Sequence, residues 1–211
     1  MMNLADCRLY AFIDSAYLHG RAPEFLAREL CCGGADLIQL RAKGWPAAQV
    51  QEMAERVLPI TRAAGVRLVI NDHFQVARAC GAEVCHLGQE DFFDAGYQKA
   101  SDLRAGCAPE IGLSTHGPSD AARALSAKPD YIAIGPVFQT ATKPEASPVT
   151  LEYVRWAARH VEIPWFAIGG ITLANLDEVL QAGATRICVV SAILNAPDVA
   201  AACRQFRDRL P

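Results

Sequence analysis

The chain has 211 residues, 52% of them hydrophobic and 20% charged, with a formal net charge of −3. That length suits one large or two small domains, and the apolar fraction gives a sizeable core and excludes a disordered chain. The mild acidity excludes recognition of nucleic acid or a membrane surface by bulk positive charge, and no apolar run reaches the ~18 residues of a membrane span.

The predicted strands, in chain order, are Leu9–Ile13, Asp36–Arg41, Arg67–Asn71, Val84–Leu87, Glu110–Leu113, Tyr131–Gly135, Trp165–Ile168 and Arg186–Val190. Each is a short apolar run rich in β-branched residues, and helical stretches fall between them. Pro46 opens a helix over Ala47–Leu58, and Pro59 is expected to kink or end it. Ser119 precedes a helix over Asp120–Ala127, Thr150 one over Leu151–His160, and Pro197 opens one over Asp198–Leu210. Gly33, Gly65, Gly81 and Gly183 sit just past helix ends, where a left-handed backbone is expected. Strand then helix, eight times without a linker, predicts an α/β fold, a single (β/α)8 TIM barrel over 1–211 with Met1–Arg8 as lead-in. An open doubly wound sheet would more usually carry G-x-G-x-x-G after its first strand, and none is present.

The eight cysteines, Cys7, Cys31, Cys32, Cys80, Cys85, Cys107, Cys188 and Cys203, contain no C-x-x-C pair. Buried free thiols in a reducing cytoplasm are expected rather than bridges or zinc. Met1 to Asp6 lack a basic start followed by an apolar stretch, so no secretory signal is read and a cytoplasmic location is expected.

In a TIM barrel the active site lies at the C-terminal ends of the strands. Strand 2 ends in Gln39-Leu40-Arg41-Ala42-Lys43, and period-two alternation puts Gln39 and Arg41 on the face opposite Ile38 and Leu40. An amide and two cations converging at the mouth suit an oligophosphate. Strands 3 and 4 end in Asn71-Asp72 and His86 to Asp91. Taken singly, Asp72 and Asp91 read equally well as helix caps, and His86 as a core histidine. Adjacent parallel strands are ~5 Å apart, however, and two carboxylates so placed repel unless a hard cation such as Mg²⁺ lies between them. Strand 5 ends in Ser114-Thr115-His116, and strand 6 runs into Gly135 to Lys143, with two hydroxyls and a cation. Gly170 after strand 7, with Ser191 after strand 8, fits the monophosphate cradle that this fold often builds there. No Ser-His-Asp or Cys-His arrangement stands out, which suggests chemistry driven by a dissociating diphosphate leaving group.

The ordered motifs Gln39–Lys43, Asn71-Asp72, His86–Asp91, Ser114–His116, Gly135–Lys143 and Ala167–Ile171 resemble those of the thiamine-phosphate synthase (thiamine-phosphate pyrophosphorylase) family, over about Leu9 to Val199. The resemblance implies an enzyme that joins 4-amino-5-hydroxymethyl-2-methylpyrimidine diphosphate to 4-methyl-5-(2-phosphoethyl)thiazole, or its carboxylated form, with release of pyrophosphate. It implies that Asp72 and Asp91 hold Mg²⁺. It further implies that Gln39, Leu40, Arg41, Ala42, Lys43, Asn71, Ser114 and Lys143 bind the pyrimidine diphosphate, with His86 near the pyrimidine ring. Thr140, Ala141, Thr142, Gly170, Val190 and Ser191 would hold the thiazole phosphate. Arg41, Lys43, Lys143 and Ser114 are the expected catalytic residues. The partners implied are these small molecules, with no nucleic acid and no membrane; a homo-oligomer is compatible with the sequence.

Two features depart from the family pattern. The stretch from Asp91 to Ser114 is longer than usual, and the usual glycine before helix 6 is replaced near Thr150. Two other functions fit the fold: a thiazole tautomerase using a histidine such as His116, and a non-catalytic phosphate-binding regulator. The tautomerase relatives tend to lose the Arg–Lys pair, the paired aspartates or the Thr-x-Thr-Lys loop, all of which this chain keeps.

Overall fold

Eight runs of β-branched and aromatic residues, too short to satisfy their backbones alone, close on one another as a parallel barrel. The computed structural model describes residues 3–103, 109–140, 142 and 147–211. Strands β1 (Leu9–Asp14), β2 (Leu37–Arg41), β3 (Arg67–Asn71), β4 (Val84–Leu87), β5 (Glu110–Thr115), β6 (Tyr131–Ile134), β7 (Trp165–Ile168) and β8 (Ile187–Val189) pair in sequence order, and β8 returns to β1. Around them lie α1 (Pro23–Cys32), α2 (Ala47–Ala63), α3 (Phe74–Cys80), α4 (Gln89–Asp94), α5 (Pro118–Ser126), α6 (Thr150–His160), α7 (Leu176–Gln181), α8 (Ser191–Leu194) and α9 (Val199–Arg207). The expected (β/α)8 barrel is therefore the fold, with strand ends within two residues of those read from the sequence.

Alternation sends one face of each strand into the barrel and the other against the helices. Inside, Tyr10, Tyr131 and Phe166 form an aromatic cluster with ring centroids 5.4–6.1 Å apart, and Phe12 stacks on Tyr10 at 5.2 Å. This plug is buried apolar mass, so the barrel is a core below and a cavity only at its mouth. At the opposite end Asp36 accepts from the backbone N–H groups of Arg8 and Leu9 and from Arg207, and Arg67 pairs with Glu110.

Four local expectations are corrected. Helix α2 runs through Pro59 to Ala63, because Pro59 is on the exposed face, where water can solvate the carbonyl that its missing N–H would have paired. Gly33 keeps a right-handed φ of −78°, and Gly34 takes the left-handed turn at +85°. Gly33 is needed for space instead, since a Cβ there would collide with Cys203 and the Ala200 carbonyl of α9. Helix α5 starts at Pro118 rather than after Ser119. Helix α9 starts after Asp198, whose carboxylate accepts from the Ala201 N–H, and it stops at Arg207. Thr150 lies inside α6 with φ +64°, the left-handed value that a glycine would take without strain.

The described cysteines, Cys7, Cys31, Cys32, Cys80, Cys85, Cys188 and Cys203, are all free thiols; Cys107 lies outside the described residues. Among the described residues no helix is long and apolar enough to cross a membrane.

Candidate active site

The C-terminal ends of the strands open on a cavity of about 240 Å³. Of the residues singled out in the sequence, Gln39, Arg41, Lys43, Asn71, Asp72, His86, Asp91, Ser114, His116, Thr140, Thr142, Gly170, Val190 and Ser191 line it. Leu40 and Ala42 do not: both are buried and absent from the cavity wall, as strand alternation from Gln39 and Arg41 requires. Ala141 and Lys143 lie outside the described residues.

On the β2–β4 side the wall carries charge. Arg41 donates from Nη1 to Asp14 Oδ2 at 2.6 Å, and Asp14 itself is fully buried at the end of β1. The other Asp14 oxygen accepts from the Ala16 N–H, which starts a short 3-10 turn over Ser15–Tyr17. The guanidinium, one of the two cations expected at the mouth, is thus held by a carboxylate on the neighbouring strand. Register pairs Asp14 with Arg41 directly, and alternation from Tyr10 and Phe12 could have found it.

Asp72 and Asp91 both face this cavity, and neither is the residue that caps its helix. The cap position of α3 is His73 and that of α4 is Gly88. Asp72 sits at φ +63°, its N–H donating to the His86 carbonyl at 2.9 Å, which stitches the loop after β3 to β4. Asn71 Nδ2 donates to Asp72 Oδ2 at 2.6 Å. Asp91 lies in the first turn of α4 over Gly88, where a Cβ would press on its carboxylate. Solvent reaches Asp72 through the mouth, yet the packed strand ends around it, and then the Asp91 charge, hold its carboxyl above the ordinary range. The repulsion that Asp72 feels from a neighbouring hard-oxygen donor is what a divalent cation relieves. Among the described residues no cluster of three or more His, Cys, Asp or Glu side chains could hold a metal by itself. The pair would therefore rely on water and ligand oxygens to complete a shell.

On the β6–β8 side the wall is mostly backbone. Gly169 (φ +103°) and Gly170 (φ +64°) turn the chain after β7 beneath the loop that follows β6. Val137 N–H donates to the Ile168 carbonyl at 2.8 Å and Phe138 N–H to Gly169 at 3.0 Å. A Cβ at Gly169 would strike Pro136, and one at Gly170 would strike the Gln139 carbonyl and Phe138. The glycines thus let two loops lie against each other as well as exposing backbone to the cavity. Asn175 ties this turn down, donating to the Gly170 carbonyl at 2.9 Å and accepting from Thr172 N–H at 2.8 Å. Tyr17, on the 3-10 turn after β1, meets Thr142 Oγ1 at 3.2 Å, linking the turn that starts at Asp14 to the loop after β6. His116 Nδ1 meets the Gly135 carbonyl, and the His116 backbone N–H donates to Asp120 Oδ2 at 3.0 Å.

Sequence reasoning missed Phe12, Cys188 and Ile168 on the wall, and Tyr10, Tyr131 and Asp14 behind it. Cys188 is no nucleophile, because burial pushes its thiol well above the ordinary range.

This geometry coincides with matches to known proteins. Residues 9–193 match the family model described as thiamine monophosphate synthase. A thiamine-phosphate synthase of Thermus thermophilus is 47% identical over 179 residues, covering 84% of this chain and 84% of that one. That of Halalkalibacterium halodurans is 39% identical, covering 96% and 95%. Among solved structures, a thiamine phosphate pyrophosphorylase from Pyrococcus furiosus superposes with a TM-score of 0.84 at 31% identity, covering 96% of this chain and 94% of that one.

Proposed function

Because the chain belongs to the thiamine monophosphate synthase family and is an enzyme of the transferase class, we propose that it condenses 4-amino-5-hydroxymethyl-2-methylpyrimidine diphosphate with 4-methyl-5-(2-phosphoethyl)thiazole to give thiamine phosphate and pyrophosphate. One observation carries this reading. A charged wall suited to a diphosphate and a glycine-backed wall suited to a monophosphate open on the same cavity, whose one described thiol, Cys188, is kept protonated by burial.

Arg41, Lys43 and Lys143 neutralise the charge that grows on the departing pyrophosphate, with Arg41 aimed by Asp14. Asp72 and Asp91 are the residues that would hold Mg²⁺, and their adjacent hard oxygens fit it. When bound, the ion supplies positive charge to the diphosphate oxygens. As the C–O bond to the diphosphate breaks, the aminopyrimidine ring spreads positive charge away from its exocyclic methylene carbon. The thiazole nitrogen then attacks that carbon while Gly170 and Ser191 hold the thiazole phosphate and Asn175 steadies the turn. Gln39, Asn71, His86 and Ser114 position the pyrimidine half, and Thr140, Thr142 and Val190 the thiazole half. The partners are these small molecules, with neither nucleic acid nor membrane, and the site of action is the cytoplasm.

The test mixes purified protein with both substrates, with Mg²⁺ or with EDTA, and follows thiamine phosphate and pyrophosphate together. Equal, Mg²⁺-dependent formation of both is expected. Tight binding of the thiazole phosphate with no product would overturn the reading in favour of a tautomerase or a sensor.

A further inference from the structure

A chain of hydrogen bonds runs through the barrel directly beneath the cavity and joins two residues of its wall. Gln39 Nε2 donates to Tyr10 Oη at 2.6 Å, Tyr10 Oη lies 3.1 Å from Tyr131 Oη, and Tyr131 Oη lies 3.0 Å from His86 Nδ1. Both tyrosines are at most 1% exposed. They belong to β1 and β6, three strands apart around the barrel, while Gln39 and His86 stand on β2 and β4.

The register explains how Tyr131 reaches His86. His86 pairs with Gly112 of β5, and Gly112 pairs with Tyr131. With no side chain at Gly112, the Tyr131 ring leans across an entire strand; a Cβ there would sit inside that ring. The His86 and Tyr131 rings lie 5.7 Å apart, and Phe166 packs edge-on against Tyr131 at 5.5 Å. The hydroxyl is therefore placed by packing as well as by its partners.

The chain has a direction. Gln39 gives an N–H to Tyr10, so the Tyr10 proton is free to go to Tyr131, the only other partner of Tyr10 Oη among the described residues. Tyr131 Oη, accepting there, spends its own proton on His86 Nδ1. A histidine accepting at Nδ1 carries its proton on Nε2. Burial keeps both phenols neutral, so neither ceases to be a donor. The thiols of Cys85 and Cys188, which act electrostatically on both phenols, are likewise kept protonated by burial.

We propose that Tyr131, steadied by Tyr10, is a positioning residue that locks His86 as its Nε2–H tautomer. The same chain uses an N–H of Gln39 on Tyr10 and leaves the Gln39 carbonyl for a ligand donor. The wall then offers one acceptor and one donor, the complement of a heteroaromatic ring that carries an exocyclic amine beside a ring nitrogen. This deepens the proposed function, on which its choice of an aminopyrimidine rests. His116 has the opposite tautomer, because its Nδ1 faces a carbonyl, that of Gly135, and must donate. The two histidines on the cavity wall thus differ in which ring nitrogen carries the proton.

The test is a long-range ¹H–¹⁵N spectrum of the five histidines in the ligand-free protein, with His86 assigned by His86→Gln. His86 is expected as the Nε2–H form and His116 as the Nδ1–H form. Tyr131→Phe, which keeps the ring and its packing, is expected to release His86 into a mixture of tautomers with His116 unchanged. Tyr10→Phe is expected to shift the His86 tautomer in the same direction but less than Tyr131→Phe, because Tyr131 keeps a proton to give while losing the donor that fixes its direction. In turnover, Tyr131→Phe is expected to raise KM for the pyrimidine diphosphate roughly 3- to 10-fold, with KM for the thiazole phosphate unmoved. Wild-type His86 found as Nδ1–H, or a Tyr131→Phe spectrum identical to wild type, overturns the proposal. The spectra need no substrate, so a failure of the proposed function would appear only in the turnover arm.

Discussion

In the proposed function, two walls of one cavity hold phosphate by different means. On the β2–β4 wall the work is assigned to side chains: Arg41 braced by Asp14, Lys43, and the facing pair Asp72 and Asp91. On the β6–β8 wall it is assigned to backbone, exposed by Gly169 and Gly170 and anchored by Asn175. The first wall concentrates charge and stores repulsion; the second removes side chains so that peptide groups can approach a ligand. Damage to the first should therefore be read in chemistry, and damage to the second in shape and stability.

The largest expected effect is on the charged wall. Asp72→Ala and Asp91→Ala are each expected to lower kcat/KM for pyrophosphate release by about 10²–10³-fold. Both side chains are exposed, so the fold survives, and the Kd for the thiazole phosphate should not change. Pre-steady-state turnover and a binding titration on the same samples check this. An equal loss of thiazole phosphate affinity would show that the walls are not separable. Next comes Asp14→Asn, which leaves Arg41 without its buried counter-charge and is expected to cost roughly 3 kcal/mol of unfolding free energy. It should also raise KM for the pyrimidine diphosphate while sparing the thiazole phosphate. Urea unfolding with steady-state kinetics measures both, and unchanged stability would mean that the pair contributes nothing.

The difference between the walls also decides how much the sequence could tell. Strand–helix rhythm made the barrel legible, and its mouth followed, because alternation is local and every strand obeys it. Gln39, Arg41, Asp72 and Asp91 were legible for the same reason: a polar group at the end of an apolar strand has nowhere to go but the mouth. What lies beneath the mouth was not legible. Tyr10 and Tyr131 look like ordinary strand aromatics, and only the closed barrel brings their hydroxyls together across it. Gly112 carried a signal, a glycine inside a strand, but what it makes room for depends on Tyr131 two hydrogen-bonded strands away from His86. Pro59 was misread because its effect depends on which helix face meets water. Near Thr150 the resemblance implied a replaced glycine, and the Thr150 φ of +64° is one that a glycine takes without strain.

Gly170→Ala tests the backbone wall. The new Cβ meets φ +64° and the Gln139 carbonyl together, so a loss of about 1–3 kcal/mol in stability is expected, with weaker thiazole phosphate binding. The Mg²⁺ dependence of whatever turnover remains should match wild type. Thermal melts and an Mg²⁺ titration of the variant examine this, and a shifted Mg²⁺ requirement would break the division of labour.

The smallest effect sharpens the same comparison through pH. The packed strand ends, which take water from the solvent-reachable Asp72 carboxyl, and then the Asp91 charge raise it above its ordinary value of 3.8, so the folded chain holds that proton more tightly than the unfolded chain does. Where the folded state binds more protons, stability falls as pH rises. In metal-free protein the Asp72 contribution is therefore absent below the unfolded value. It grows unfavourable as pH climbs through the raised one, and stays constant above it. Asp72→Asn removes that slope, so at neutral pH and in EDTA the variant should melt slightly above wild type. Added Mg²⁺ should reverse the order, because binding to the folded state stabilises only the chain that keeps both carboxylates. Gly170→Ala, which touches no titrating group, should keep the wild-type slope at lower overall stability. Melts of the three proteins between about pH 4 and 8, with EDTA or Mg²⁺, separate these outcomes. An Asp72→Asn curve parallel to wild type would show that the carboxylate pair stores no repulsion for a cation to relieve.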